Sequence, residues 1–171
     1  MKFKITLKID RKYGDLLPFN YQYEQSAVIY RILAQADTQY SSWLHKNGYL
    51  LHERKRFKLF CYSPFIFEKV RPLPEAGGLK IIGERAVWYI SFIPEKSTLE
   101  FIQGIFAHQS FTIGNKEHRV AFDVIGVEAM PMPQLTEQMA FQAMSPICVK
   151  LHEDNKTQYL SPDNPMFADG I

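Results

Sequence analysis

Apolar and polar positions alternate from the first residues of this chain. In MKFKITLKID, Phe3, Ile5, Leu7 and Ile9 fall on one side, and Lys2, Lys4, Thr6, Lys8 and Asp10 on the other. A period of two is that of a half-buried strand. A loop with Gly14 and Pro18 follows over residues 11–21. The period then changes to that of a helix over residues 22–36. Ser26, Ile29, Tyr30 and Leu33 gather on one side of it, with Glu24, Arg31 and Gln35 opposite. Asp37 or Thr38 caps a second, short helix that runs to Lys46, and Gly48 stops it. Tyr40, Trp43 and Leu44 make its core face.

Residues 49–56, YLLHERKR, read as a loop. FKLFCYSPFIF, residues 57–67, reads as a central strand with Phe57, Leu59 and Cys61 on one face and Lys58, Phe60 and Tyr62 on the other. Pro72, Pro74, Gly77, Gly78 and Gly83 make residues 68–84 a loop placed to fold over a ligand. Residues 85–94 form a strand. Ser97 and Glu100 have capping-box spacing before a helix over residues 98–109, whose Leu99, Ile102, Ile105 and Phe106 face the core. A hairpin turning at Gly114-Asn115 leads into a long strand over residues 118–130.

The order strand, helix pair, strand, strand, helix, strand predicts an α+β, ferredoxin-like (RRM-related) βαββαβ domain with an antiparallel sheet over residues 1–133. Past Pro131 and Pro133, residues 134–171 carry a strand and a turn at Asp154-Asn155. They read as the start of a second such domain that this chain does not complete.

Charge changes the picture. The chain as a whole is at +2, but residues 45–71 hold Lys46, Arg54, Lys55, Arg56, Lys58, Lys69 and Arg71 against Glu53 and Glu68. That segment is at +5 and the remainder at −3. Lys2, Lys4, Lys8, Arg11 and Lys12 form a second cluster. Such local positive charge suits a polyanion, although a solvated loop has the same composition. No run of 18 apolar residues occurs, and the first residues lack the continuous apolar segment of a signal peptide, so a cytoplasmic protein without a membrane partner is expected. Cys61 and Cys148 stand apart in apolar contexts, which predicts two buried thiols with neither disulfide nor zinc.

Three side chains near the basic segment carry chemistry. Tyr30 lies on the flank of its helix, where a ring packs and a hydroxyl still reaches solvent. His45 falls in the last turn of the second helix, where the dipole favours the imidazolium. Lys58 opens a strand from which an ammonium reaches a phosphate. Each also has a structural reading: a packing tyrosine, a surface histidine, a solvated lysine.

The blocks LPFNYQY, AVIYRIL, SSWLH, FKLFCYSPF, AMSPICVK and TQYLSPDNPMF, in this order, resemble the CRISPR-associated endoribonucleases of the "Cas six" family, RAMP-type enzymes that cut CRISPR precursor RNA within its repeats. The resemblance spans essentially the whole chain. It implies two ferredoxin-like domains and a glycine-rich loop near the C-terminus, which this sequence does not contain. It implies a catalytic tyrosine on the first helix, a histidine on the next and a lysine at the following strand, the places of Tyr30, His45 and Lys58. The YLLHERKR stretch leaves Arg54, Lys55 and Arg56 as rivals to Lys58.

The implied chemistry is attack of a 2′-hydroxyl on the adjacent phosphodiester, with no metal or other cofactor. Arg54, Lys55, Arg56, Lys69 and Arg71 are the expected RNA contacts, and nearby cations are expected to lower the Tyr30 pKa. Tyr30 as base with His45 as acid, and the reverse, both remain open. The partner is CRISPR repeat RNA, with a second copy or effector-complex proteins as further partners. A non-catalytic RNA-binding module or a structural subunit are the alternatives.

Overall fold

The alternation of the first residues is realised as β1 (Lys2–Asp10), with Phe3, Ile5, Leu7 and Ile9 buried. The chain continues through β2 (Leu16–Pro18), α1 (Gln22–Ala36), α2 (Thr38–Lys46), β3 (Tyr49–Leu51) and β4 (Lys55–Phe57). It then forms β5 (Phe60–Tyr62), β6 (Ile66–Phe67), β7 (Val70–Leu73), β8 (Gly78–Ile81) and β9 (Arg85–Phe92). Last come α3 (Glu95–Ala107), β10 (Ser110–Gly114), β11 (Arg119–Met130), β12 (Val149–Glu153) and β13 (Lys156–Leu160). The computed structural model describes residues 1–51, 55–134, 136–140, 142–143, 147–153 and 156–168. They fall into two units, Met1–Gln134 and Leu135–Ile171.

In the first unit β1 is central, antiparallel to β9 on one side and β11 on the other. The sheet order is β10-β11-β1-β9-β5, with β6 also pairing β9. Without the β10 edge this is the strand order of the ferredoxin-like fold. Ala86, Trp88, Ile90 and Phe92 of β9 join the β1 residues on the buried face, in one core with Val28, Ile29, Ile32 and Leu33 of α1 and Phe101 and Ile105 of α3. The second unit contains the antiparallel pair β12 and β13. The predicted turn at Asp154-Asn155 lies outside the described residues, and the strand expected before it is confined to Val149–Glu153 among them.

Several local expectations are corrected. Residues 57–67 are not a central strand: two short pieces, β5 and β6, lie on the edge against β9. Leu59, just before β5, separates it from β4 with φ 55°, a left-handed conformation that costs a branched residue about 1–2 kcal/mol. The residue 68–84 loop holds β7 and β8, which with β2 make a three-stranded sheet in order β2-β8-β7. Its glycines and prolines punctuate short strands rather than replace them. Residues 49–51 and 55–57 pair as β3 and β4. Cys61 and Cys148 are exposed free thiols, Cys61 because it points outward from the edge strand β5.

The third helix is both shifted and rotated from expectation. It begins at Glu95 after Pro94, so Ser97 lies inside it, buried, and hydrogen-bonds the Tyr40 hydroxyl. Ile105 is buried as expected, but Leu99 and Phe106 are 55% and 57% exposed, and Phe101 takes the core position instead. Gly104 explains the rotation: a Cβ there would lie 1.9 Å from the Ile32 carbonyl oxygen, so the helices cross backbone to backbone at this point.

α2 is capped as expected by Asp37, whose Oδ1 accepts from the Tyr40 N–H at 2.8 Å. That bond, and then Lys96 at 3.2 Å, hold the Asp37 carboxyl below its ordinary pKa. A depressed folded-state pKa contributes stability above the unfolded-state value, and that stability is lost as pH falls through the folded value. Thermal melts of the parent and Asp37→Ala should therefore differ most near neutral pH and converge in acid. A gap that stays constant down to the acid limit would show that the carboxylate charge is not what stabilises this helix start.

Candidate active site

Tyr30 sits in the last half of α1, half-buried on its flank, and packs against the core. α2 is fastened to α1 at this residue, because the buried Ser41 hydroxyl donates to the Tyr30 carbonyl at 2.8 Å. One helical turn beyond Ser41 lies His45, exposed in the last turn of α2. The Tyr30 and His45 rings therefore meet edge to face, with centroids 4.9 Å apart at 83°. Phe60 of β5 meets the same tyrosine at 5.7 Å and 75°, and Tyr62 stacks beside Phe60. Phe60 and Tyr62 share a strand face with alternate spacing, but their place beside Tyr30 follows only from β5 docking on β9.

These neighbours reverse one expectation. Tyr30 is not lowered by the basic segment; burial, and then Tyr62, raise its pKa above the ordinary phenol value. The cation next to this site is turned elsewhere. Lys58 lies between β4 and β5, and its Nζ donates to the carbonyls of Leu44 and His45 at 2.5 and 2.6 Å. It thus occupies the C-terminal end of α2, where free carbonyls and the dipole favour a cation. Burial, and then Arg56, push its pKa down. Gly48 makes room for it: with φ 67°, its absent Cβ would meet the Phe57 carbonyl at 2.7 Å and Lys58 Nζ at 3.3 Å.

The other predicted contacts divide. Arg54 lies outside the described residues, and of Lys55 only the backbone, in β4, is described. Arg56 is exposed at the centre of β4. Lys69 and Arg71 are exposed on the turn before β7 and on β7 itself, not beside Tyr30. Another face of α2 borders an open groove of about 400 Å³ lined by Asp37, Gln39, Tyr40, Trp43, Tyr49 and Lys96. Trp43 is 38% exposed there rather than in the core.

A ferredoxin-like antiparallel sheet with its helices packed on one face is the fold of the RAMP-type proteins that this chain resembles in structure. The family described as "CRISPR-associated protein Cas6, N-terminal" matches residues 16–122, and the chain belongs to this Cas6 family. It is 25% identical over 172 residues to the CRISPR-associated endoribonuclease Cas6 1 of Methanocaldococcus jannaschii, covering 98% of this chain and 62% of that protein. A solved structure of a Cas6-related gene product from Pyrococcus furiosus superposes with a TM-score of 0.77 at 25% identity, covering 99% of this chain and 65% of that one. A RAMP protein described as binding different RNA substrates shares the fold at a TM-score of 0.76 and 24% identity, over 99% and 66% of the two chains. The chain thus spans less than two-thirds of the length of these relatives.

Proposed function

We propose that this chain carries the catalytic side chains of a metal-independent endoribonuclease that cleaves CRISPR repeat RNA to 2′,3′-cyclic phosphate and 5′-hydroxyl ends. The observation that carries this reading is the Tyr30–His45 contact at 4.9 Å, with the Lys58 ammonium 2.6 Å from the His45 carbonyl. Transesterification needs a group to take the 2′ proton, a group to protonate the leaving 5′-oxygen, and positive charge beside the phosphorane.

Burial keeps Tyr30 neutral at working pH. A neutral phenol is an O–H donor, not a base. Tyr30 is therefore assigned to the leaving 5′-oxygen and His45 to the 2′-hydroxyl. Lys58 uses two of its three N–H donors on backbone carbonyls and keeps the third for a phosphate oxygen. Arg56 of β4, Lys69 and Arg71, together with Arg54 and Lys55, supply the RNA-backbone contacts in this reading. Residues 134–171 begin a second ferredoxin-like domain.

Labelled repeat RNA incubated with the protein in EDTA tests the reaction. Expected is a product ending in a cyclic phosphate, lost when the 2′-hydroxyl at the cut is replaced by hydrogen. Binding without cutting would make the chain an RNA-binding module, and neither would make it a structural subunit. RNA with a sulfur leaving atom in place of the 5′-oxygen at the cut tests the roles, because a thiolate leaves without a proton donor. The loss in Tyr30→Phe should largely disappear while that in His45→Ala persists, and the opposite pattern would make His45 the acid.

A further inference from the structure

We propose that the open groove beside Trp43 is a nucleobase subsite, in which one unpaired base of the RNA, a few nucleotides from the cut, stacks on the Trp43 indole. This rests on the reading of the chain as an RNA-cleaving enzyme and deepens it by naming an element of the substrate that the protein recognises.

The lining of the groove selects among occupants. Tyr40, Trp43 and Tyr49 supply three rings, and Asp37, Gln39 and Lys96 supply a carboxylate, an amide and an ammonium. No aliphatic side chain among the described residues lines it, so an apolar protein knob has nothing of its own kind to pack on. A cationic side chain would need the Asp37 carboxylate as well as a ring face. Lys96 already holds that carboxylate at 3.2 Å and covers the Tyr40 ring at 4.8 Å. What stays open is the Trp43 ring, 38% exposed, with the exposed Gln39 amide on the same groove. A base is a planar ring with hydrogen-bonding edges, and an unpaired one is recognised by stacking on an aromatic side chain with polar contacts to its edge. The volume of about 400 Å³ suits this, since sites for small ligands span about 300–1,000 Å³.

The indole is held in place before any ligand arrives. It stacks on Tyr40 with centroids 5.8 Å apart at 23°, and Tyr49 meets it edge to face at 5.1 Å and 87°. Tyr40 is fixed in turn, because its hydroxyl is hydrogen-bonded to the Ser97 hydroxyl and, at 2.9 Å, to the Tyr49 hydroxyl. A platform that is already ordered loses little freedom when a base stacks on it.

The groove is also continuous with the candidate active site. Trp43 and His45 stand two residues apart on α2, about 200° around a helix roughly 10–12 Å across. They therefore lie on opposite sides of the same helix. The Lys58 ammonium stands at the helix end between them, on the Leu44 and His45 carbonyls, and Tyr49 follows that end directly as the first residue of β3. A strand that offers a phosphate to Lys58 can place one nucleotide at His45 and another, round the end of α2, at Trp43.

The test uses the full chain and repeat RNA made uncleavable by a 2′-deoxy substitution at the cut, with an abasic site placed in turn at each nucleotide near it. Trp43→Ala should weaken binding of intact RNA about 5- to 150-fold, the loss of one stacked base. At one abasic position the parent and Trp43→Ala should bind equally well, because the base that Trp43 holds is already gone. Trp43→Phe keeps a ring for Tyr40 and Tyr49; it should bind between the two and show the same dependence on that position. Fluorescence gives an independent readout. The chain's other tryptophan, Trp88, is buried, so RNA should quench the exposed indole, and that same abasic site should remove most of the quenching. Phe106→Ala, at an exposed ring of α3, should change neither readout.

Parent-like affinity in Trp43→Ala would overturn the proposal. So would a loss that persists at every abasic position, which is the mark of a merely structural role for Trp43, or a chain that binds no RNA. Cleavage is scored separately on unmodified RNA. Position-dependent binding at Trp43 without cyclic-phosphate product leaves the subsite standing and removes the catalytic reading; cleavage without that dependence does the reverse.

Discussion

His45→Ala should lower kcat for the proposed RNA cleavage by about 10²–10⁴-fold, the usual contribution of one positioned proton-transfer group. His45 is exposed on the last turn of α2, so its removal leaves the core untouched and the melting temperature close to the parent's. Tyr30→Phe is the sharper partner experiment. It keeps the ring that meets His45 and Phe60 and deletes only the hydroxyl. Its loss should fall in the same range, and the double variant should lose far less than the product of the two, because groups that act on one transition state are not additive. Measurement under saturating RNA, with cyclic-phosphate product as the readout, separates this from weakened binding. Full-rate cleavage by either variant would move the chemistry off that residue.

The largest expected effect on stability comes from a single methyl group. Gly104→Ala places a Cβ 1.9 Å from the Ile32 carbonyl oxygen and 2.8 Å from its carbonyl carbon. Neither atom is a side-chain end that can swing aside, so α1 and α3 must separate. Overpacking a core costs about 1–3 kcal/mol, and a clash with backbone belongs at the upper end of that range. For a unit of this size, about 3 kcal/mol lowers the melting temperature by roughly 10 °C. Because α1 carries Tyr30, cleavage should fall with it. A Gly104→Ala protein that melts with the parent would mean the two helices do not cross at this residue.

What could be read from the chain alone depended on how much of each element's environment its own pattern encodes. β1, α1, β9 and β11 are periodic over eight residues or more, and their positions follow, as does the buried face of β1. α1 is rotated from its expected face, burying Gln25, Val28 and Ile32 beside Ile29 and Leu33 and leaving Ser26 and Tyr30 at the edge. The Asp37 cap was legible because its carboxylate reaches only as far as Tyr40. α3 was not legible in the same way. Leu99, Phe101, Ile105 and Phe106 are apolar around most of its circumference, so periodicity offers two faces, and the fit of Gly104 against Ile32 selects between them. Residues 57–67 are largely apolar, and nothing local marks Leu59 as the residue that turns left-handed and separates β4 from β5.

The candidate site shows the same division. Spacing alone placed Tyr30 on a helix flank and His45 in a last turn, positions that a packing tyrosine and a surface histidine also occupy. The resemblance of the surrounding blocks to the Cas six family singled the two out. Neither could supply their contact, which depends on the Ser41 hydroxyl meeting the Tyr30 carbonyl between helices. Nor could they supply the direction of the Tyr30 pKa or the destination of Lys58. Charge counting suggested a cation lowering a phenol. The folded chain surrounds that phenol with Phe60, Tyr62 and His45 and turns the ammonium to the end of α2. Burial period and helix position are local properties, written in spacing. Ionisation and pairing are set through space by segments far apart in the chain, and only the tertiary structure brings those segments together.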